Sequence, residues 1–186
     1  MKKTLINKLG KYIGETNNNL PDGFGEFIYL DGDKYFGEWK NGTLDGRGTF
    51  EWKSGQKYIG QYKNGQKNGE GKLIYPNGNY YEGEFKDGDY YKGTYVYNNG
   101  EKYSGEWKNE KQNGQGKYEY LNGDIYEGNF KNDFREGYGV YIFKDGRKYV
   151  GDWKKDKQHG KGVMTFPDGR KISCDWKNGE PNLNKK

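Results

Sequence analysis

The chain has 186 residues, enough for one or two ordinary domains, but only 30% are hydrophobic while 18% are aromatic, 32% are charged and 32 residues are glycine. A mean hydropathy of −1.36 excludes a conventional aliphatic core, and 19 Tyr, 9 Phe and 5 Trp exclude the disordered class, whose chains are poor in rings. The net charge of +5 comes from Lys2, Lys3 and Lys8 at one end and Lys185 and Lys186 at the other, so residues 11–180 sum to zero. That balance argues against the basic groove that nucleic acid requires.

The opening residues, MKKTLINKLG, are basic but lack the apolar stretch of a signal peptide, and no apolar run approaches the roughly 18 residues of a membrane-spanning helix. Residues 1–10 read as a basic tail, and the expectation is a soluble, cytoplasmic chain. From residue 11 three glycine columns run in register. The first is Gly23/Gly25, Gly46/Gly48, Gly69/Gly71, a lone Gly93, Gly114/Gly116, Gly137/Gly139 and Gly160/Gly162, with a step of 23 residues and a single step of 22. A second column runs from Gly32 to Gly169 and a third from Gly14 to Gly151. Seven units follow, 11–33, 34–56, 57–79, 80–101, 102–124, 125–147 and 148–170, then a degenerate half-unit at 171–180 and a tail at 181–186. No segment is left over for a catalytic domain. Cys174 stands alone in the half-unit, so no intramolecular disulfide and no cysteine cluster for a metal is expected, nor any cofactor.

Inside a unit the hydrophobic period is two. In KYIGQYK, Tyr58, Gly60 and Tyr62 share one face, and in GEGKLIYPNG, Gly69, Gly71, Leu73 and Tyr75 do the same before a Pro-Asn-Gly turn. Asn41-Gly42, Asn64-Gly65, Asp87-Gly88 and Asn178-Gly179 supply turn residues that accept positive φ. Each unit therefore predicts a β-hairpin. Because one hairpin is marginal in water, the hairpins must stack into an elongated, twisted, single antiparallel sheet, an all-β fold whose glycines leave room for rings to lie flat.

The segment YFGEWKNGTLDGRGTFEWKSG, Tyr35 to Gly55, resembles the MORN repeat, and the resemblance recurs seven times over about nine-tenths of the chain. It implies a sheet of stacked hairpins and a scaffold that binds protein partners, with family members in cytoskeletal, ciliary and membrane-apposed assemblies. It also implies an association with anionic phospholipids. No fused enzyme accompanies the array, so only a non-enzymatic role carries over.

Two functional readings follow. In the first, a protein partner contacts rings of the aromatic face: Tyr35, Tyr58, Tyr81, Tyr103, Tyr126 and Tyr149, with Trp39, Tyr62, Phe85, Trp107, Phe130, Trp153 and Trp176. The same rings are also the natural core of such a sheet, and a single layer leaves part of that face open. In the second, Lys40, Lys63, Lys86, Lys108, Lys131, Lys154 and Lys177 form a ladder with steps of roughly 10 Å toward phosphoinositide head groups, joined by the basic tails. Two residues earlier stand Glu38, Gln61, Glu84, Glu106, Asn129, Asp152 and Asp175, read as cross-strand partners that largely neutralise it. Unit four has lost a residue and a glycine, and is expected to bend and present Tyr90 and Tyr91 as two further contacts whose removal leaves stability unchanged. The open strand near Trp176 suggests a homodimer by edge addition. His159, the lone histidine, reads as a solvated turn residue, and no acid pair or nucleophile stands apart from the repeat.

Overall fold

The computed structural model describes residues 2–182; Lys185 and Lys186, and all but two residues of the expected tail at 181–186, lie outside the described residues. Those described form 17 strands of one antiparallel sheet, with no helix among them. They divide into two compact units, one ending at Tyr91 and one starting at Lys92. The first holds β1 (Lys2–Asn7), β2 (Gly10–Asn17), β3 (Leu20–Tyr29), β4 (Lys34–Lys40), β5 (Thr43–Glu51), β6 (Lys57–Lys63), β7 (Gln66–Ile74), β8 (Tyr80–Lys86) and the start of β9 (Asp89–Val96). The second holds the rest of β9, then β10 (Lys102–Lys108), β11 (Lys111–Glu119), β12 (Ile125–Lys131), β13 (Phe134–Ile142), β14 (Lys148–Lys154), β15 (Lys157–Thr165), β16 (Lys171–Lys177) and β17 (Glu180–Asn182).

The two-residue turns are as the sequence predicts: Asn41 and Gly42 take φ of 48° and 82°, and Asn64 and Gly65 take 50° and 82°. Other turns adopt the same geometry without glycine. Asn109 and Glu110 sit at φ 52° and 58°, a left-handed conformation that crowds a Cβ. Glu110→Gly is expected to stabilise the protein by about 0.5–1 kcal/mol, seen as a higher urea midpoint at unchanged slope. No gain would mean that the turn is not strained.

Within β4 and β5 the register shifts once. Gly37 faces Gly48 and Trp39 faces Leu44, so Glu38 alone stands opposite residues 45–47. Glu38 closes this bulge, its Oε1 accepting from the backbone N–H of Arg47 at 3.0 Å. Gly46, at φ 105°, must be glycine because a Cβ there would lie 2.5 Å from the Glu38 carboxylate. Glu15, Gln61 and Asp152 accept from Phe24, Glu70 and Lys161 in the same way. These members of the Glu38 column therefore hold bulges together rather than pairing with lysines, since the extra residues leave N–H groups that the strand ladder cannot use.

The core is a row of tyrosines laid over glycine pairs. Gly37 and Gly48 face each other across β4 and β5, and the Tyr35 ring crosses above them. Its hydroxyl donates to the Glu38 carbonyl at 2.9 Å, so the buried phenol is satisfied within its own strand. Tyr58, Tyr81, Tyr126 and Tyr149 do the same three residues along, at 2.8–3.0 Å. Tyr35, Tyr58, Tyr103, Tyr126 and Tyr149 each meet two rings edge-on. Tyr35 packs against Trp39 at 5.1 Å and 90° and against Tyr62 of the next hairpin at 5.4 Å and 89°. Trp39, Trp153 and Trp176 donate their indole N–H to the carbonyls of Gly25, Gly139 and Gly162, which ties each hairpin to the one before.

Three segments depart from the sequence reading. Residues 2–7, expected as tail, form β1, which pairs with β2 from Lys2–Glu15 to Asn7–Gly10; the Asn7 side chain accepts from the Leu9 and Gly10 N–H groups and turns the chain. The strand near Trp176 is not open, because β17 pairs with Asp175, Trp176 and Lys177. His159 lies on β15, half-buried, not in a turn. Cys174 takes the place of a glycine opposite Gly162; its strand carries Ile172 where others carry tyrosine, so no ring crosses it.

Candidate functional site

The rings expected to meet a partner are the core itself. Tyr35, Tyr58, Tyr81, Tyr103, Tyr126 and Tyr149 are 0% exposed, and Trp39, Tyr62, Phe85, Trp107, Phe130, Trp153 and Trp176 are 2–7% exposed. Tyr90 is buried too: it stacks on Tyr81 at 4.0 Å and 14°, and its hydroxyl meets that of Tyr75. It fills the row that follows the two-residue turns, so its loss would open the core. Of the fifteen rings only Tyr91, half exposed beneath the Lys86 ammonium, is open to solvent.

The accessible part of the aromatic face is a different row. Tyr29 ends β3, and Trp52, Tyr75, Tyr97, Tyr120, Phe143 and Phe166 directly follow the second strand of successive hairpins; all are half-buried. Their signal in the sequence is a ring three residues before a turn glycine, at the same 23-residue step with one shorter step. In the second unit the row is continuous with its inner neighbours. Ring centroids follow one another at 4.8 Å (Tyr95–Tyr97), 6.1 Å (Tyr97–Tyr118), 4.4 Å (Tyr118–Tyr120), 5.7 Å (Tyr120–Tyr141) and 4.6 Å (Tyr141–Phe143).

Opposite this wall stand Gln112, Asp133, Arg135 and Asp156, with Phe130 between, enclosing a groove of about 430 Å³. Arg135 lies across the floor, its guanidinium 4.5 Å from the Trp153 ring and 5.2 Å from Tyr141. Asp156 holds it there, the carboxylate accepting from Nε at 3.2 Å and the carbonyl from Nη2 at 2.7 Å. Buried Gln112 donates to the Tyr97 hydroxyl at 3.3 Å and takes the Asp133 carboxylate on its backbone N–H. Tyr118 and Tyr141 donate to the carboxylates of Glu101 and Asp124 at 3.0 and 2.7 Å.

Burial pushes the Tyr97 and Tyr120 phenols up from their ordinary value; Asp133 adds to the first, and Asp156, Glu101 and Asp124 to the second, against Arg135 alone. Burial also works against the charged Glu101 and Asp124, yet hydrogen bonds from Leu121 and Lys144 N–H groups and from the two tyrosines hold both carboxyls below the usual range. The groove is aromatic on one side and anionic on balance.

On the other face of the first unit, Phe24, Phe36 and Ile59 are exposed around a hollow of about 440 Å³ floored by glycine backbone. The lysine column ends the first strand of each hairpin and is exposed throughout. Among the described residues no group of His, Cys, Asp and Glu is placed to hold a metal ion.

The family model for the MORN repeat matches residues 12–34, 35–57, 58–80, 81–89, 103–125, 126–146 and 149–169. The chain is a MORN-repeat protein. The short match at 81–89 ends just before Tyr90, at a position that differs in nearly every repeat. No curated protein matches the MORN chain significantly in sequence. Among solved structures, the MORN array is similar in fold to the SAS-4 (dCPAP) TCP domain of Drosophila melanogaster, in complex with a Proline Rich Motif of Ana2 (dSTIL). That match has 13% identity and a TM-score of 0.54, and covers 94% of this chain and 90% of that one. A TCP10 domain of Danio rerio CPAP matches at 14% identity over 94% of this chain and 99% of its own, but its TM-score of 0.31 carries no argument.

Proposed function

We propose that this MORN protein is a non-enzymatic scaffold that binds a protein partner along the open aromatic row, within a cytoskeletal, ciliary or membrane-apposed assembly of the cytoplasm. The observation that carries the reading is the half-buried ladder from Tyr95 to Phe143 beside a fully used core. Rings already fixed by their neighbours lose little freedom on binding, which is what makes rigid aromatics effective anchors. The TCP-domain neighbour holds a motif of another protein, which supports a protein partner rather than a small molecule. Random-sequence peptides displayed against the whole chain are expected to yield binders that a Tyr97→Ser, Tyr120→Ser variant, shown by circular dichroism to be folded, no longer retains. Equal retention by both proteins would remove the groove from consideration.

Lipid binding is the second reading, favoured by the exposure of Lys40, Lys63, Lys86, Lys108, Lys131, Lys154 and Lys177. Glu38, Glu106 and Asp152, two residues before their lysines, close bulges but keep their charge, so the attraction expected is weak. At physiological salt the whole chain is expected to stay in the dense fraction when floated with phosphoinositide vesicles. Flotation that is lost when the seven lysines become glutamine would reverse that order of preference.

A further inference from the structure

From the spacing of the groove we infer that its occupant is a basic, proline-rich peptide in the polyproline II conformation, one proline to each hairpin of the second unit. The inference rests on the reading of this row as a protein-binding surface and names the class of partner. Tyr97, Tyr120 and Phe143 recur once per hairpin, that is, once per two strands, or about 9.6 Å along the sheet. A polyproline II helix rises about 3.1 Å per residue and returns to the same face every third residue, about 9.3 Å on. A chain laid across the strands therefore keeps step with the rings, falling behind by only about 0.3 Å per hairpin. An extended β-strand, whose same-face residues recur at about 6.8 Å, does not keep step, and neither does an α-helix with its pitch of about 5.4 Å.

Proline suits each contact because its ring is flat against an aromatic face and its backbone is ordered before binding. The two residues between prolines point away from the rings. Charge decides what they are. Glu101 and Asp124 hang on the hydroxyls of Tyr118 and Tyr141, Asp133 and Asp156 stand on the opposite wall, and the guanidinium of Arg135 is already engaged by Asp156. Arg147 lies over the Phe143 ring at 4.5 Å and is paired with Asp145. Five carboxylates against two engaged cations call for arginine or lysine in the occupant. The same charges repel a single-stranded nucleic acid, which would otherwise stack on such a row.

The test uses three synthetic nonapeptides and fluorescence anisotropy with the whole chain: three Pro-Arg-Ala triplets, the same composition with the prolines adjacent, and three Pro-Glu-Ala triplets. The first is expected to bind at least about tenfold more tightly than either other, a preference of about 1.4 kcal/mol. Tyr120→Ser should abolish that preference, and Tyr120→Phe, which keeps the ring, should retain it. Equal affinity of the first two peptides, both weakened by Tyr120→Ser, would overturn the register of three and leave the scaffold reading standing. Binding indifferent to Tyr120→Ser overturns the site. Tighter binding of oligodeoxythymidylate than of any peptide overturns the class of partner. If no nonapeptide binds, the inference fails, and the displayed random peptides decide whether the wider reading fails with it.

Discussion

Gly48→Ala is expected to destabilise the protein by about 3 kcal/mol or more, a large share of the stability of a typical domain. A Cβ on Gly48 would lie 2.5 Å from the Tyr35 ring, and its three nearest atoms all belong to that fully buried side chain. The ring has nowhere to go, since Trp39 and Tyr62 hold its two edges. Gly169→Ala is the comparison: φ is +85° but no atom lies within 4 Å, so only backbone strain of about 1 kcal/mol is expected. Urea unfolding of the two variants reads the difference directly. In a Tyr35→Ala background the further change Gly48→Ala should be nearly neutral, because the clash has been removed. Equal losses from Gly48→Ala and Gly169→Ala would show that the ring does not depend on the bare backbone.

Raising the pH above about 10 is expected to unfold the chain in one steep step. Burial holds the phenols of Tyr35, Tyr58, Tyr103, Tyr126 and Tyr149 well above their ordinary value, and pushes that of Tyr12 up to about 12. The sign follows from proton binding. Below about pH 9 both states keep their phenolic protons and stability is flat; between about 10 and the folded values the unfolded chain binds fewer protons, so stability falls. Each tyrosine contributes a slope of up to about 1.4 kcal/mol per pH unit, and six together remove ordinary domain stability within one to two units. Tyrosinate absorbance and near-ultraviolet circular dichroism should therefore change together, with a midpoint between about pH 11 and 12. Gradual ionisation of these rings in a protein that keeps its dichroism would contradict the packing.

The stacked hairpins were legible because two periods coincide in the text, alternation by two within a strand and a step of 23 between units. Tyr35, Gly37 and Trp39 appear together on one face for that reason. Alternation does not reveal a bulge, however, because it carries no count of the facing strand. From alternation alone Glu38 looks like a partner of lysine, whereas in the structure it closes the extra residues of β5. A related limit applies to the rings: composition says that rings are buried but not which, and the most regular columns are the most enclosed. The open row at Tyr97 and Tyr120 sits against turn residues, where a ring looks like the end of a strand. Arg135 was invisible because its row holds Pro21, Leu44, Lys67, Tyr90 and Gln112 in other repeats, a position filled by whatever shape the space allows. β1 looks like a tail in the sequence because it carries neither a ring nor a glycine column.

The ties that hold a hairpin in place are short in sequence. Tyr35 closes on a carbonyl three residues away, Glu38 on an amide nine away, Trp39 on a carbonyl fourteen back, and Asp156 on an amide twenty-one back. A chain leaving the ribosome can therefore complete each hairpin as soon as about one more unit has emerged, with no wait for a distant partner. Within each unit the growing end is then the one unfinished edge, and exposure of aromatic surface to the cell lasts only as long as the synthesis of a single repeat.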